Sequence, residues 1–310
     1  MIKIQESNFP MVSVIIPAYK ARNYLKDALQ SIQSQDYGNL EVIIVDDASP
    51  EPIDDIVAGY LELASLPYIE VLRHETNQGL GATRNTGIAA AKGEYIALLD
   101  HDDLWTSEHL SDLVRGIIEN KCDIGFCSAM EFSETPENWT SLWGPDGNSV
   151  NDMPEFDLFR KSYVTPSSAV IRKSLLDELN GFNLQPEVHM CEDLDLWLRI
   201  AEHGAKFHYS MNPTVFYRKH AEQATAKDAF MTCQSAYVRQ LHVGKIRGPW
   251  FKKRSIVATN WWCAFMTMRK SGEMRWDLLR RAIIASLPVP WEAIRGVYHL
   301  IGFRPFSKSR

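Results

Sequence analysis

Three apolar runs, each of strand length and each stopped by Pro or Asp, do most to limit what this chain can fold into. They are VSVIIPAY (12–19), LEVIIVDDAS (40–49) and EYIALLDHDD (94–103). Between them the apolar period changes. In ARNYLKDALQSIQSQ (21–35), Leu25, Leu29 and Ile32 recur at helical spacing. A helix is expected over 52–65, a strand over 68–74, and a small-residue helix over 81–93 closed by Gly93. Strands alternating with helices imply a parallel α/β sheet. Such sheets bind ligands beyond the carboxyl ends of their strands. Pro17–Tyr19, Asp46–Asp47 and Asp100–Asp103 all fall at such ends, so a single site is expected there.

Further along, 104–120 reads as a helix and 122–132 as a strand. Residues 133–157 are loop-like, with Pro, Gly, Asn and two Trp. SYVTPSSAVIRKSLLDEL (162–179) reads as a strand leading into a helix, and 180–204 as a loop and a helix ending at Gly204. KFHYSMNPTVFYRKH (206–220) reads as a strand pair, and the pattern beyond about 225 is helical.

The chain has 310 residues, 45% hydrophobic and 23% charged, enough for a substantial core in one large domain or a domain with an appendage. Cys122, Cys127, Cys191, Cys233 and Cys263 form no CxxC pair, so free thiols in a reducing cytoplasm are expected. The first residues lack the apolar core of a secretory signal, and no apolar run reaches the roughly 20 residues of a spanning helix. Net charge is −6, but residues 240–310 hold 14 Lys and Arg against 3 Asp and Glu, a net of +11, and the rest carries −17. With Trp250, Trp261, Trp262, Trp276 and Trp291 interleaved, the tail fits interfacial helices on an anionic membrane. Helices packed on the rest of the protein, with a solvated basic face, are the competing reading. No nucleic-acid motif accompanies the basic patch, so nucleic acid is not an expected partner.

The carboxylates after residue 99 exceed what a turn requires, and like charges so close repel unless something positive intervenes. Asp100 and Asp102, two apart at a strand end, can converge on a hard divalent cation, Mg²⁺ or Mn²⁺, which would also offset a diphosphate. The alternative is that they cap the following helix. Asp46 and Asp47 can accept from a base N–H or ribose hydroxyl, or simply form a turn with Asp47 or Ser49 as N-cap. Tyr19 could stack on a base. Gly79 and Gly81 precede a helix with Arg84 and Asn85 one turn in, a weak phosphate-binding pattern. Glu192 and Asp193 open a helix carrying Leu194, Trp197 and Ala201 on one face; they complement the helix dipole, or one is a general base. His220 could ligate the metal or bind a diphosphate.

Together these segments resemble the family 2 glycosyltransferases over about residues 10–225. VSVIIPAYKARNYLKDALQSIQSQDYGNLEVIIVDDAS looks like that family's opening, NQGLGATRNTGIAAAKGEYIALLDHDDLW is similar to its second block, and GFNLQPEVHMCEDLDLWLRIAEHG to its acceptor-side block. The resemblance implies a GT-A fold, a Rossmann-like mixed sheet flanked by helices, in a catalytic domain over 1–225, with a nucleotide-sugar-binding part (10–105) and an acceptor-side part (106–225). Residues 226–310 fall outside the resemblance and read, from their helical pattern and charge, as a basic C-terminal helical extension. Pro17, Ala18, Tyr19, Asp46, Asp47, Arg84, Asp100 and His101 would serve the donor, with Asp47 reading the base. Asp102, Asp100 and His220 would hold Mn²⁺ or Mg²⁺; Asp193 would be the base; Glu192 and Trp197 would lie on the acceptor side. His101 departs from the Ser, Ala or Asn more usual at the middle of the D-x-D.

The implied reaction is a single inverting displacement from a nucleotide-diphosphate sugar onto a hydroxyl of a saccharide or lipid-linked saccharide. The expected setting is envelope or surface polysaccharide synthesis, in the cytoplasm or on the inner face of the cell membrane. The alternatives are the same donor chemistry on a protein or small molecule, and a non-catalytic nucleotide-sugar-binding protein.

Overall fold

The structure is a computed structural model that describes residues 9–61, 68–145, 155–220, 228–270, 275–289 and 291. The chain divides into two units: Met1–Met153 with Tyr163–Leu184 and Arg199–Ala221, and Pro154–Ser162 with Gln185–Leu198 and Glu222–Arg310.

The first unit is built on a mixed sheet. Its strands are β1 (Val12–Ala18), β2 (Leu40–Asp46), β3 (Ile69–Arg73), β4 (Tyr95–Leu98), β5 (Leu104–Trp105), β6 (Ile124–Phe132), β7 (Ser141–Trp143), β8 (Ala169–Arg172) and β9 (Phe207–Arg218). The order is β3-β2-β1-β4-β8-β6-β9-β5, with β7 paired to β6. The first four strands are parallel, β8 runs antiparallel to both β4 and β6, and β9 runs parallel to β6. Alternation alone pointed to a parallel sheet, and that holds only for its first half. Every residue of β1, β2 and β4 is buried, as expected of strands covered on both faces.

Helices α1 (Leu25–Gln33), α2 (Asp54–Leu61), α3 (Leu80–Ala90), α4 (His109–Asn120) and α6 (Lys173–Glu178) belong to this unit. α1 buries Leu25, Ala28, Leu29 and Ile32, and α4 buries Leu110, Leu113, Val114 and Ile117, each a single apolar stripe. At the start of the sheet Glu41 is buried, yet satisfied: its Oε1 accepts from Ser13 Oγ (2.6 Å) and the Lys92 amide (2.7 Å). Gly93 passes so close to β1 that a Cβ there would lie 2.6 Å from the Ser13 nitrogen.

Four local readings change. The helix expected over 104–120 begins only at His109, because Leu104 and Trp105 pair with Phe216 and Val215 as β5. The stretch 133–157 is not wholly loop: it contains β7, and a helix starts at Glu155. The helix expected over 52–65 is described as Asp54–Leu61, and its remainder lies outside the described residues. The strand pair expected over 206–220 is one strand. Its register against β6 jumps from Cys127↔Ser210 to Ala129↔Val215, so the polar Ser210–Pro213 stretch that looks like a turn bulges out.

The second unit is helical, with α5 (Glu155–Arg160), the first residues of α7 (Glu192–Glu202), α8 (Asp228–His242), α9 (Trp250–Lys270) and α10 (Trp276–Ser286). α9 packs against both α8 and α10, burying Val257, Trp261, Trp262 and Phe265. Each buried indole finds a partner: Trp261 Nε1 donates to Gln240 Oε1 (2.5 Å) and Trp262 Nε1 to Ser286 Oγ (3.0 Å). Trp261 and Trp262 therefore belong to a helical core, whereas Trp250, Trp276 and Trp291 are exposed. Among the described residues, no helix is long and apolar enough to cross a membrane.

Candidate active site

The carboxyl ends of β1, β2 and β4 lie side by side in the sheet, and each delivers polar groups. β1 ends at Pro17 and Ala18, both buried; Tyr19 then emerges with 41% of its surface exposed. Lys20, in the left-handed region (φ 54°), donates its amide to Ser49 Oγ at 3.0 Å. The loop after β1 is thus tied to the loop after β2.

Asp46 and Asp47 are both buried and both engaged. Asp46 accepts the Ser49 amide (3.0 Å) and pairs with Arg73 at the end of β3. Asp47 accepts from His74 Nδ1 (2.7 Å) and from the amides of Gln78 (2.8 Å) and Gly79 (2.8 Å). This carboxylate therefore fixes the turn into α3, and Gly79, at φ 87°, supplies a backbone shape that a side chain would strain. Neither Arg73 nor His74 was singled out in the sequence, because neither sits in a recognisable spacing.

The charges after β4 are resolved one by one. Asp100 Oδ1 accepts from Arg84 Nη2 at 2.6 Å, and Arg84, only 2% exposed, also lies 5.3 Å from the Phe182 ring. Asp102 Oδ2 meets His220 Nε2 at 2.9 Å, and His220 packs on Tyr24. Asp103 is buried, accepting from Ser167 Oγ (2.6 Å) and the Arg218 amide (3.0 Å). Burial first, and then the Asp102 and Asp100 charges, push its carboxyl well above the usual range. His101 turns its Nδ1 to the Pro17 carbonyl at 3.1 Å, linking β1 to this loop. An arginine and an imidazole are thus the partners of Asp100 and Asp102, one on each.

Two supporting residues escaped the sequence. Ser167 also receives the Asp100 amide (3.0 Å), and its carbonyl accepts from Trp105 Nε1 (2.7 Å). Arg218 donates Nε to the Asp102 carbonyl (2.8 Å) and Nη2 to Asp27 (3.1 Å), its guanidinium lying over Tyr24 and Phe132. Only the fold brings Ser167 and Arg218 to residues 100–103.

Among the described residues, no three His, Cys, Asp or Glu side chains gather closely enough to hold a metal. The donor atoms nevertheless suit one: carboxylate oxygens of Asp100 and Asp102 and an imidazole of His220 match Mn²⁺ or Mg²⁺. His220 Nδ1 is buried without a hydrogen-bond partner among the described residues. For Asp102 and His220 to share an ion, their mutual hydrogen bond would have to open.

In the second unit, Asp193 sits in the first turn of α7, its Oδ1 accepting the Leu194 amide at 2.7 Å. Glu192 is buried, 3.3 Å from His189 Nδ1. Trp197 has no exposed surface, so its indole packs in the core instead of offering a face to an acceptor. Asp195, two residues beyond Asp193, is also buried and meets His242 Nε2 at 3.0 Å, which pins α7 to α8.

The model of Glycosyl transferase family 2 matches residues 13–179. The chain belongs to that family. TuaG of Bacillus subtilis, named as a teichuronic acid biosynthesis glycosyltransferase, is 29% identical over 206 residues, covering 66% of this chain and 76% of TuaG. The B. subtilis glycosyltransferase EpsH is 28% identical over 218 residues, 68% of this chain and 61% of EpsH. Two solved structures share the fold at low identity. S. aureus TarS 1-349 in complex with UDP-GlcNAc superposes with a TM-score of 0.65 at 20% identity, covering 89% of this chain and 79% of that one. The mannosyltransferase PcManGT from Pyrobaculum calidifontis, in complex with GDP-Man and Mn²⁺, gives 0.64 at 18% identity over 96% and 86%. The fold of this glycosyltransferase is GT-A.

Proposed function

We propose that this glycosyltransferase moves a sugar from a nucleotide-diphosphate donor to an acceptor hydroxyl with inversion, in the building of an envelope or surface polysaccharide. The observation that carries the reading is the paired arrangement after β4: Arg84 on Asp100 and His220 on Asp102, beside the ends of β1 and β2. Two carboxylates with two basic partners, partly open to solvent, match the charge of a diphosphate and its cation. Tyr19 offers the exposed ring for the base, and Asp46, Asp47 and His101 hold the loops around it. Asp102, with Asp100 and His220, would hold the Mn²⁺ or Mg²⁺, which offsets the charge of the departing diphosphate when bound. Arg84 adds a fixed positive charge on the same side. Asp193 takes the acceptor proton as the hydroxyl attacks. Catalysis belongs to residues 1–225, while 226–310 form a basic extension that meets the anionic inner face of the membrane. TuaG supports the polysaccharide setting by its name, and the donors in the TarS and PcManGT complexes support a nucleotide sugar.

The test is a thermal-shift panel of UDP-, GDP-, dTDP- and CMP-sugars with Mn²⁺, followed by nucleotide-release assays on the stabilising donor. One class of nucleotide sugar should raise the melting temperature in a metal-dependent way. No shift with any of them would overturn the reading.

A further inference from the structure

Within the second unit, α8, α9 and α10 line an open groove of about 630 Å³ that no step above uses. Its volume falls in the roughly 300–1,000 Å³ range of small-molecule sites. α10 lines it with Trp276, Arg280 and Ile284, spaced by four and so on one face, and with the adjoining Arg281. α9 adds Arg254 and α8 adds Gln240.

The lining is net cationic, with Arg254, Arg280 and Arg281 against Asp277. Its carboxylate, Asp277, is held by Arg275 through two contacts of 2.9 Å. No carboxylate among the described residues pairs with Arg254, Arg280 or Arg281. Arg281 rests over the Trp261 ring at 5.0 Å and Arg254 over Trp250 at 5.6 Å, contacts that orient guanidiniums without neutralising them. Arg254 Nε is buried with no hydrogen-bond partner among the described residues. Gln240 already uses its carbonyl on Trp261, so its NH₂ is the donor left for a ligand. Three like charges around one groove repel, and an anion with several acceptor oxygens relieves that repulsion bidentately.

The surroundings say which anion. Trp276 and Leu287 are 68% and 73% exposed, and Ile283, Ile284 and Trp291 are exposed as well. A soluble anion has no use for such an apolar edge, whereas a lipid does. Residues 292–310 are themselves basic, with four Lys and Arg against Glu292, and do not complement the groove.

We propose that α8, α9 and α10 form a pocket for the phosphate headgroup of a membrane lipid, gripped by Arg254, Arg280 and Arg281 while the exposed edge of α10 enters the acyl boundary. This rests on the membrane contact proposed for residues 226–310 and makes it specific.

The full-length protein is sedimented with phosphatidylcholine vesicles containing phosphatidic acid, or phosphatidylglycerol at matched surface charge. The phosphomonoester should bind about tenfold more tightly, since it presents more oxygens to the guanidiniums. Arg280→Gln/Arg281→Gln, both exposed and on a helix that Gln tolerates, should abolish that preference; Arg254→Gln should weaken it. Lys245→Gln/Lys252→Gln removes the same charge outside the pocket and should lower binding to both vesicles equally. Equal losses from the two double variants, with no lipid preference, would leave membrane contact intact and overturn the pocket. No binding to either vesicle would overturn both. Tight binding of free glycerol phosphate without vesicle binding would make the site one for a soluble anion and would overturn the lipid assignment.

Discussion

Asp102 and His220 stand 118 positions apart in sequence, yet Oδ2 and Nε2 meet at 2.9 Å. The contact forms because β9 runs the length of β6 and delivers His220 to the loop after β4, while Arg218 grips the Asp102 carbonyl. Besides its proposed place on the ion, His220 orients the Asp102 carboxylate, and losing such a support is typically worth roughly 10- to 100-fold in metal affinity or activity. His220→Ala should therefore lower kcat/KM by about that factor and raise the Mn²⁺ concentration needed for half-maximal rate. An unchanged metal requirement would detach His220 from the site.

Asp193→Asn should fold and bind donor normally but lose transfer. A general base supplies roughly 10²- to 10⁴-fold, so the loss should fall in kcat, with the donor Kd unmoved. A loss confined to donor binding would place Asp193 on the donor instead.

Gly93→Ala should destabilise by about 1–3 kcal/mol, the usual cost of overpacking. Its Cβ would meet the Ser13 nitrogen at 2.6 Å and the Met11 carbonyl at 2.8 Å, both backbone atoms that cannot step aside. Gly38→Ala, which meets nothing within 4 Å, is the control. Urea unfolding of the two variants should differ accordingly.

His109 makes stability depend on pH. It is buried, stacked on Trp105 and bonded to Thr214 Oγ1 at 2.8 Å, and burial pushes its pKa down to about 3. The unfolded chain binds this proton near pH 6.5, so the contribution is intact above that pH and is lost as pH falls toward 3. Between pH 7.5 and pH 5.0 the wild type should lose about 2 kcal/mol more than His109→Gln. Parallel losses in the two proteins would mean that His109 titrates normally.

The first half of the sheet could be read directly, because β1, β2 and β4 are continuous apolar runs that only burial explains. The Asp residues at their ends could be read too, since strand ends are where a turn would use one carboxylate and not three. Arg84 and His220 were legible as candidates beside a diphosphate, but not as the partners of Asp100 and Asp102. Ser167 and Arg218 could not be read at all, because they approach Asp103 only through β8 and β9. β5 has two residues, too few for any period to register. In β9, Ser-Met-Asn-Pro carries turn chemistry but forms a bulge, because β6 continues to pair on either side of it. In the tail, Trp261 and Trp262 look identical to Trp276 in composition; only the packing of α9 between α8 and α10 separates core from surface.

Donor binding measured by calorimetry with Mn²⁺ and with EDTA, for wild type and Asp102→Asn, tests the central claim most directly. The donor is the nucleotide sugar that gives the largest thermal shift. Wild type should bind it in Mn²⁺ and lose at least about tenfold in affinity in EDTA, and Asp102→Asn in Mn²⁺ should match the wild type in EDTA. Undiminished binding in EDTA, or by Asp102→Asn in Mn²⁺, would contradict a metal-assisted diphosphate site at Asp102.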